Sequence, residues 1–331
     1  PRMPLPAASA LEPSPPAWDH LPMALAPILV TGSHRCGSTW VGKTLCRAPG
    51  MAYLDEPFHM KHRPGPCRAK WESWYAYLTA ENAAPYEEAL ADTLGHRYSY
   101  GAELLSLRSP RDVGRMLRDA GRCAGRRRRG DRALMKDPIA FFSAPWLAER
   151  FAMQVVVLVR HPAAFASSLK RLDWRFDFHN WLDQPLLMRD WLGPWEQQLR
   201  AAAETPLDVI EEAALCWNVI YEVAARMRAQ HSDWIFLTHE ELSIDPVGKF
   251  RTLFEQLAVP FDDELRDWLQ ATTGANNPAE APTGTAHALA RDSRANVRNW
   301  TSRLEPSEID RLRAATEAVT EQWYGSDAWT P

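Results

Sequence analysis

The chain has 331 residues, 46% hydrophobic and 24% charged, with a formal net charge of −4 at pH 7. This is ordinary globular composition, and it excludes a disordered chain, a collagen-like chain and a disulfide miniprotein. The near-neutral balance argues against a nucleic-acid coat or a polybasic membrane binder as the main role.

The first 20 residues hold six prolines, so residues 1–25 are expected to form a mobile Pro-rich arm. Leu21 to Thr31 is mildly apolar but lacks a basic flank, and prolines interrupt it. It reads as the lead-in to a strand, not as a signal peptide. No apolar run approaches the roughly 20 residues of a membrane span. The five cysteines (Cys36, Cys46, Cys67, Cys123 and Cys216) form no C-x-x-C pair. They fit a reducing compartment with neither zinc ribbon nor disulfide frame. A cytoplasmic protein without a metal site is the expectation.

Ile28–Thr31 reads as a buried strand stopping at Gly32, and Ser38–Arg47 as a helix closed by Pro49-Gly50. Met51–Leu54 is a second short strand. Residues 57–70, rich in Pro, His and Lys, read as a surface loop, and residues 71–120 as helical with poor periodicity. The run Arg126–Arg129 reads as a solvated loop. Ala133–Lys136 is a third strand, with a helix near Ala144–Phe151 after it. Gln154–Val159 is the clearest buried strand, and Pro162 suits the first turn of the next helix. Longer helices are expected over 181–200 and 207–230, and a fifth strand over Trp234–Leu237 with its helix at Pro246–Leu257. A Gly/Thr/Asn/Pro loop covers 272–285, and a final helix begins near Pro306. Alternating strands and helices predict an α/β fold: a mostly parallel central sheet flanked by helices, in a single domain over 26–331. Ligands of such sheets bind outside the carboxyl ends of the strands, so the residues after each strand carry the chemistry.

After the first strand comes Thr31-Gly32-Ser33-His34-Arg35-Cys36-Gly37-Ser38-Thr39-Trp40. A glycine-bounded turn into a helix aims backbone N–H groups at one point and favours a phosphate or sulfate. Ser38 and Thr39 add hydroxyls, and Arg35 adds a forked cation. The stretch Gly37 to Thr44 also matches G-x-x-x-x-G-K-[ST], the nucleotide-triphosphate pattern. Its first glycine stands too far beyond the strand, and no strand-end acid suited to magnesium is apparent, so the match reads as chance. After the valine strand, Arg160 stands at the strand end and Ser168 eight residues later on the helix, forming a second anion clamp.

Together these motifs resemble the sulfotransferases that use 3′-phosphoadenosine-5′-phosphosulfate. Arg35-Cys36-Gly37-Ser38-Thr39-Trp40 is similar to their 5′-phosphosulfate loop, and Arg160, Pro162 and Ser168 match the spacing of their 3′-phosphate motif. The stretch from Arg35 to Pro57, with a strand ending in Glu56-Pro57, looks most like the carbohydrate sulfotransferases. Leu237 to Leu242, followed by Asp245-Pro246, is similar to a further family stretch. The resemblance implies a P-loop-like sulfotransferase fold and a metal-free transfer of a sulfuryl group from that donor to a hydroxyl. Arg35 to Trp40 would hold the 5′ side. Trp40 would stack on adenine, against the alternative of a core tryptophan. Arg160 and Ser168 would bind the 3′ phosphate, with Ser293 and Arg294 a looser match to a late 3′-phosphate loop. Lys136 would sit near the transferring group. Pro138 occupies the position of the base used by phenol-type members. Glu56 is therefore the favoured base and His59 the reserve.

The implied acceptor is a carbohydrate or another hydroxyl-bearing molecule, not nucleic acid, taken up by a helical region at about 171–230. Trp174, Phe176, Phe178, Trp181, Trp191 and Trp195 there suit a sugar platform or an aromatic core equally. Two other readings stand beside this one: a P-loop kinase using magnesium ATP through Gly42-Lys43-Thr44, and a nucleotide- or glycan-binding protein without turnover.

Overall fold

The computed structural model describes residues 25–280, 290–325 and 328–329. All but the last residue of the expected Pro-rich arm lies outside the described residues, as does part of the 272–285 loop.

Five strands form one sheet: β1 (Ile28–Gly32), β2 (Met51–Asp55), β3 (Arg132–Lys136), β4 (Gln154–Val159) and β5 (Ile235–Thr238). Their order is β2-β3-β1-β4-β5, and every pairing is parallel. The chain moves to one side of β1 and then to the other, which opens a crevice at the carboxyl end of β1. Both sheet faces are covered, so strand residues alternate between two cores rather than between core and water. Leu29, Met135, Val155 and Val157 join one core, and Val30, Leu134, Val156 and Leu158 the other.

The helices are α1 (Ser38–Leu45), α2 (Ala84–Leu94), α3 (Tyr100–Leu104), α4 (Pro110–Arg129), α5 (Ala144–Phe151), α6 (Pro162–Leu172), α7 (His179–Leu182) and α8 (Pro185–Leu187). They continue as α9 (Glu196–Glu204), α10 (Val209–Gln230), α11 (His239–Ile244), α12 (Pro246–Gln256), α13 (Asp263–Thr273), α14 (Ser293–Val297) and α15 (Pro306–Tyr324). Prolines without a backbone donor start α4, α6, α8, α12 and α15.

Three expectations are corrected. Arg126–Arg129 is not a loop but the last turn of α4, closed by Gly130 at φ 69°. Residues 57–70 are irregular but not superficial, because Phe58, Cys67 and Ala69 are buried in the core. The helix expected over 181–200 is broken: α7 and α8 are followed by a π turn (Met188–Leu192), a 3₁₀ turn (Gly193–Trp195) and α9. Pro185 and Pro194 interrupt the hydrogen-bond ladder there.

The carboxyl end of β4 is held from α10. Trp217 Nε1 donates to the Arg160 carbonyl at 2.8 Å, and Tyr221 Oη accepts from the Arg160 amide at 3.2 Å. Further along the chain, α15 ties into the same region. The Tyr324 hydroxyl donates to Glu240 at 2.7 Å, and His161 bonds the Ala328 carbonyl at 3.0 Å.

Candidate active site

A cleft of about 390 Å³ opens where β1, β3, β4 and β5 end, and residues after each of these strands line it. The turn from β1 into α1 forms its floor. Gly37 is the residue before α1, with φ 99°, and no side chain caps the helix. The amino-terminal amides and their partial positive charge therefore face the cleft. Gly37 is required here: a Cβ would lie 2.5 Å from His239 Cδ2, and the backbone angle is one L residues avoid. Gly37→Ala is expected to cost about 1–3 kcal/mol of stability and to weaken anion binding. Denaturant titration with calorimetry of the same variant checks both, and an unchanged midpoint would refute the steric argument.

Three arginines converge on this floor: Arg35, Arg160 and Arg291. The Arg160 Nη1 donates to the Arg35 carbonyl at 2.6 Å, and the Arg35 Nε donates to Ser168 Oγ at 3.0 Å. The loops after β1 and β4 are thus joined directly. Burial, then the charges of Arg160, Arg171 and Arg291, pull the pKa of Arg35 down to about 10. Burial and the same kind of crowding lower Arg291. Arg160 Nε and Arg291 Nε are buried without a hydrogen-bond partner among the described residues. Like charges brought together with unmet donors form a site whose natural complement is a multiply charged anion.

The opposite wall carries Glu56, the one carboxylate lining the cleft among the described residues. It follows β2 at φ 47°, and its amide donates to the Lys136 carbonyl at 2.9 Å, continuing the β2–β3 ladder. Lys136 Nζ lies 2.5 Å from Glu56 Oε1 and 2.7 Å from Asp55 Oδ1. Burial pulls the pKa of Lys136 down, but the Glu56 and Asp55 carboxylates outweigh it and the net shift is upward. The ammonium therefore stays charged beneath the Glu56 carboxylate. Arg35 and Glu56 are both non-glycine residues at positive φ, and both face the same cleft.

His59 stands edge-on to Trp74 with ring centroids 4.7 Å apart, and its Nδ1 accepts the Lys61 amide at 3.0 Å. That bond fixes the neutral ring with its proton on Nε2. Trp174 is 46% exposed, and the Arg35 guanidinium lies over its ring at 5.4 Å. Trp40 stands at the border of cleft and core. It lines the cleft, and it packs against Phe250 at 5.1 Å and His239 at 5.7 Å.

Ser38, Thr39 and Ser293 also line the cleft. The Ser293 hydroxyl is already committed, donating to the Ser243 carbonyl at 2.6 Å. Four residues of the expected set are not in the lining: Lys136 and Ser168 are buried against Glu56 and Arg35, and two others turn away. The Cys36 side chain is fully buried with Val30 and Val41, and Arg294 is exposed and donates to the Ile244 carbonyl at 3.0 Å. Arg291 takes the cleft position instead. Asp292 caps α14, so the residue before the cap stays on the cleft side and the second helical residue swings off it. Of the aromatic stretch, Trp174 reaches the cleft, whereas Phe178, Trp181 and Trp191 are core.

His34 and His239 were not anticipated. Burial, aided by Arg35, holds His34 down to about 4, and burial with Arg160 and Arg291 holds His239 down to about 3. Both are neutral walls at pH 7.

An acid also follows β3, the neighbour of β1: Asp137. Its carboxylate accepts the Phe58 amide at 2.6 Å and the Ile139 amide at 3.2 Å. It is fully buried and pinned to backbone, so it is not aimed into the cleft. Among the described residues no group of three or more His, Cys, Asp or Glu could hold a metal ion. No helix among them is long and apolar enough to cross a membrane.

Carbohydrate sulfotransferase 1 of Danio rerio is 22% identical over 196 residues, which is 58% of this chain and 40% of that protein. Its Mus musculus counterpart is 24% identical over the same length. The chain spans about 40% of the length of these curated relatives. Two solved structures are similar at lower identity. The sulfotransferase domain from the Synechococcus PCC 7002 olefin synthase is 16% identical, with TM-score 0.46, covering 90% of this chain and 94% of that one. Mouse sulfotransferase SULT7A1 complexed with PAP is 13% identical, with TM-score 0.41, covering 92% and 86%. The model of the sulfotransferase family matches residues 27–263, well over half of the chain, including the cleft residues that follow all five strands. On that match, the chain belongs to the sulfotransferase family.

Proposed function

We propose that the protein transfers a sulfuryl group from 3′-phosphoadenosine-5′-phosphosulfate to a hydroxyl of a carbohydrate-like acceptor. The products are a sulfate ester and adenosine 3′,5′-bisphosphate. The observation that carries this reading is the convergence of Arg35, Arg160 and Arg291 on the amino terminus of α1, with buried donors unmet. Such a floor suits a donor with phosphates at two separated positions. Arg35 and the amides at Gly37 to Thr39 would hold the 5′ phosphosulfate, with Ser38 and Thr39 adding hydroxyls. Arg160, Ser168 and Arg291 would hold the 3′ phosphate, with Trp40 beside the base.

Transfer by in-line displacement needs a proton acceptor on the acceptor side and positive charge along the transferring group. Glu56 would take the proton of the attacking hydroxyl. Lys136, paired with Glu56, would neutralise charge on the sulfuryl oxygens. His59 is less suited as base, because the Lys61 amide occupies its Nδ1 and leaves a donor at Nε2. That donor, with Trp74 and Trp174, would position a sugar ring. A carbohydrate acceptor is supported by these aromatic faces and by the names of the relatives.

The kinase alternative has little support. Gly42 and Lys43 lie inside α1, and Gly42 faces Tyr53 and Lys136. Lys43 is five residues past Ser38, about 7.5 Å along the axis from the helix start. Calorimetry with adenosine 3′,5′-bisphosphate and with magnesium ATP tests the choice. The bisphosphate should bind the better. Lys43→Ala should leave its affinity within about threefold, and Arg35→Ala should lower it roughly 10–100-fold. Preference for magnesium ATP, with loss on Lys43→Ala, would reverse the reading. Radiolabel transfer over a glycan panel separates an enzyme from a non-catalytic binder.

A further inference from the structure

Nine large hydrophobic side chains are exposed among the described residues, and five of them fall between 100 and 117: Tyr100, Leu104, Leu105, Val113 and Leu117. Leu105 is 93% exposed and Leu117 62%, so neither is a core residue at the rim. They lie on α3, on α4 and on the turn between. The same helix α4 carries eight arginines against two aspartates in a chain whose net charge is −4. Asp112 is paired with Arg115, and Asp119 with Arg63, Arg118 and Arg122. Arg111, Arg127 and Arg128 make no ion pair among the described residues. At 3.6 residues per turn, Val113, Leu117 and Ala124 share one strip of α4, while Arg111, Arg115, Arg118, Arg122 and Arg129 lie roughly 100° or more round from it. Met116 and Ala120 anchor the helix to the protein.

We infer that the α3–α4 face docks on an anionic lipid surface, with the leucines entering the headgroup boundary and the arginines reaching lipid phosphates and carboxylates. The two features together select this occupant. Arginines alone would fit a polyanionic glycan, but a glycan gives Leu105 and Leu117 nothing to enter. Leucines alone would fit a second copy of this chain, but a face-to-face pair would bring two arginine-rich helices together. Apolar residues flanked by long cationic side chains are the pattern of an interfacial helix. The cleft remains clear: Arg127–Arg129 precede β3, at the end of the sheet opposite the carboxyl ends that form the cleft.

The test is sedimentation of the full chain with phosphatidylcholine vesicles, with and without phosphatidylserine. Binding should require phosphatidylserine and weaken with salt. The double variant Leu105→Asp/Leu117→Asp and the double variant Arg111→Glu/Arg128→Glu should each lower partitioning by roughly a hundredfold. Both alter exposed side chains only, and unchanged bisphosphate affinity verifies that they fold. Absence of binding to phosphatidylserine vesicles overturns the inference. So does equal binding by the Leu variant, or binding of heparin that the Leu variant keeps, since either would make the face a simple polyanion site. Self-association that the Leu variant abolishes would make it a subunit interface and equally overturn it.

Discussion

Glu56→Gln is expected to lower kcat by about 10²–10⁴ while leaving the affinity for adenosine 3′,5′-bisphosphate within about threefold. Glutamine keeps the shape of the side chain and one oxygen for Lys136, but it cannot accept a proton from the attacking hydroxyl. The loss should therefore appear in turnover and not in donor binding. His59→Ala should act mainly on KM for the acceptor, because its ring is placed to donate from Nε2. Near-normal turnover in Glu56→Gln, with loss in His59→Asn, would exchange the two roles.

Arg160→Ala should weaken adenosine 3′,5′-bisphosphate by roughly 10–100-fold and 5′-AMP by less than about threefold. Arg160 ends β4, bonds the loop that carries Arg35, and keeps a buried Nε unmet. Removing it also takes away a positive charge that favours the buried Glu240 carboxylate, so stability should fall as well. Arg160→Lys separates the two effects, since it restores charge near Glu240 but not the planar fork. Equal loss for both nucleotides would mean that Arg160 supports the floor as a whole and does not read the 3′ phosphate.

Much of this site is legible from the chain alone because it lies just after short strands with apolar centres. Val155 to Val159 can only be a buried strand, and Arg160 then has to stand at its carboxyl end. Gly32 and Gly37 bracket a turn whose next residues are helical, so Ser38 and Thr39 fall at a helix start. Arg291 was missed because nothing periodic leads to it. A capping aspartate, and not a strand, sets its direction, and the family resemblance points to Arg294, one turn too far. The arginine run of α4 looked like a loop because four adjacent charges hide a helical pattern whose buried positions, Met116 and Ala120, lie further back. The aromatic stretch was ambiguous for a deeper reason. Whether Trp174 or Trp181 faces the cleft depends on how α6 and α7 sit against β4, which no local pattern encodes.

The ties from α15 to the end of β4 have a consequence for how the site comes into being. Tyr324 bonds Glu240 and residue 328 bonds His161, a separation of 167 residues in the second case. A chain that has formed all five strands possesses the sheet and the first arginine loop, but neither Arg291 nor this clasp. Bringing such distant segments together costs loop-closure entropy before any contact repays it. The wall that carries Arg291 is thus expected to form after the sheet, which pulse-labelling hydrogen exchange during refolding checks. A donor bound as proposed would bridge the early and late segments and stabilise only the finished arrangement, so it should resist unravelling of residues 290–325 before it resists loss of the sheet.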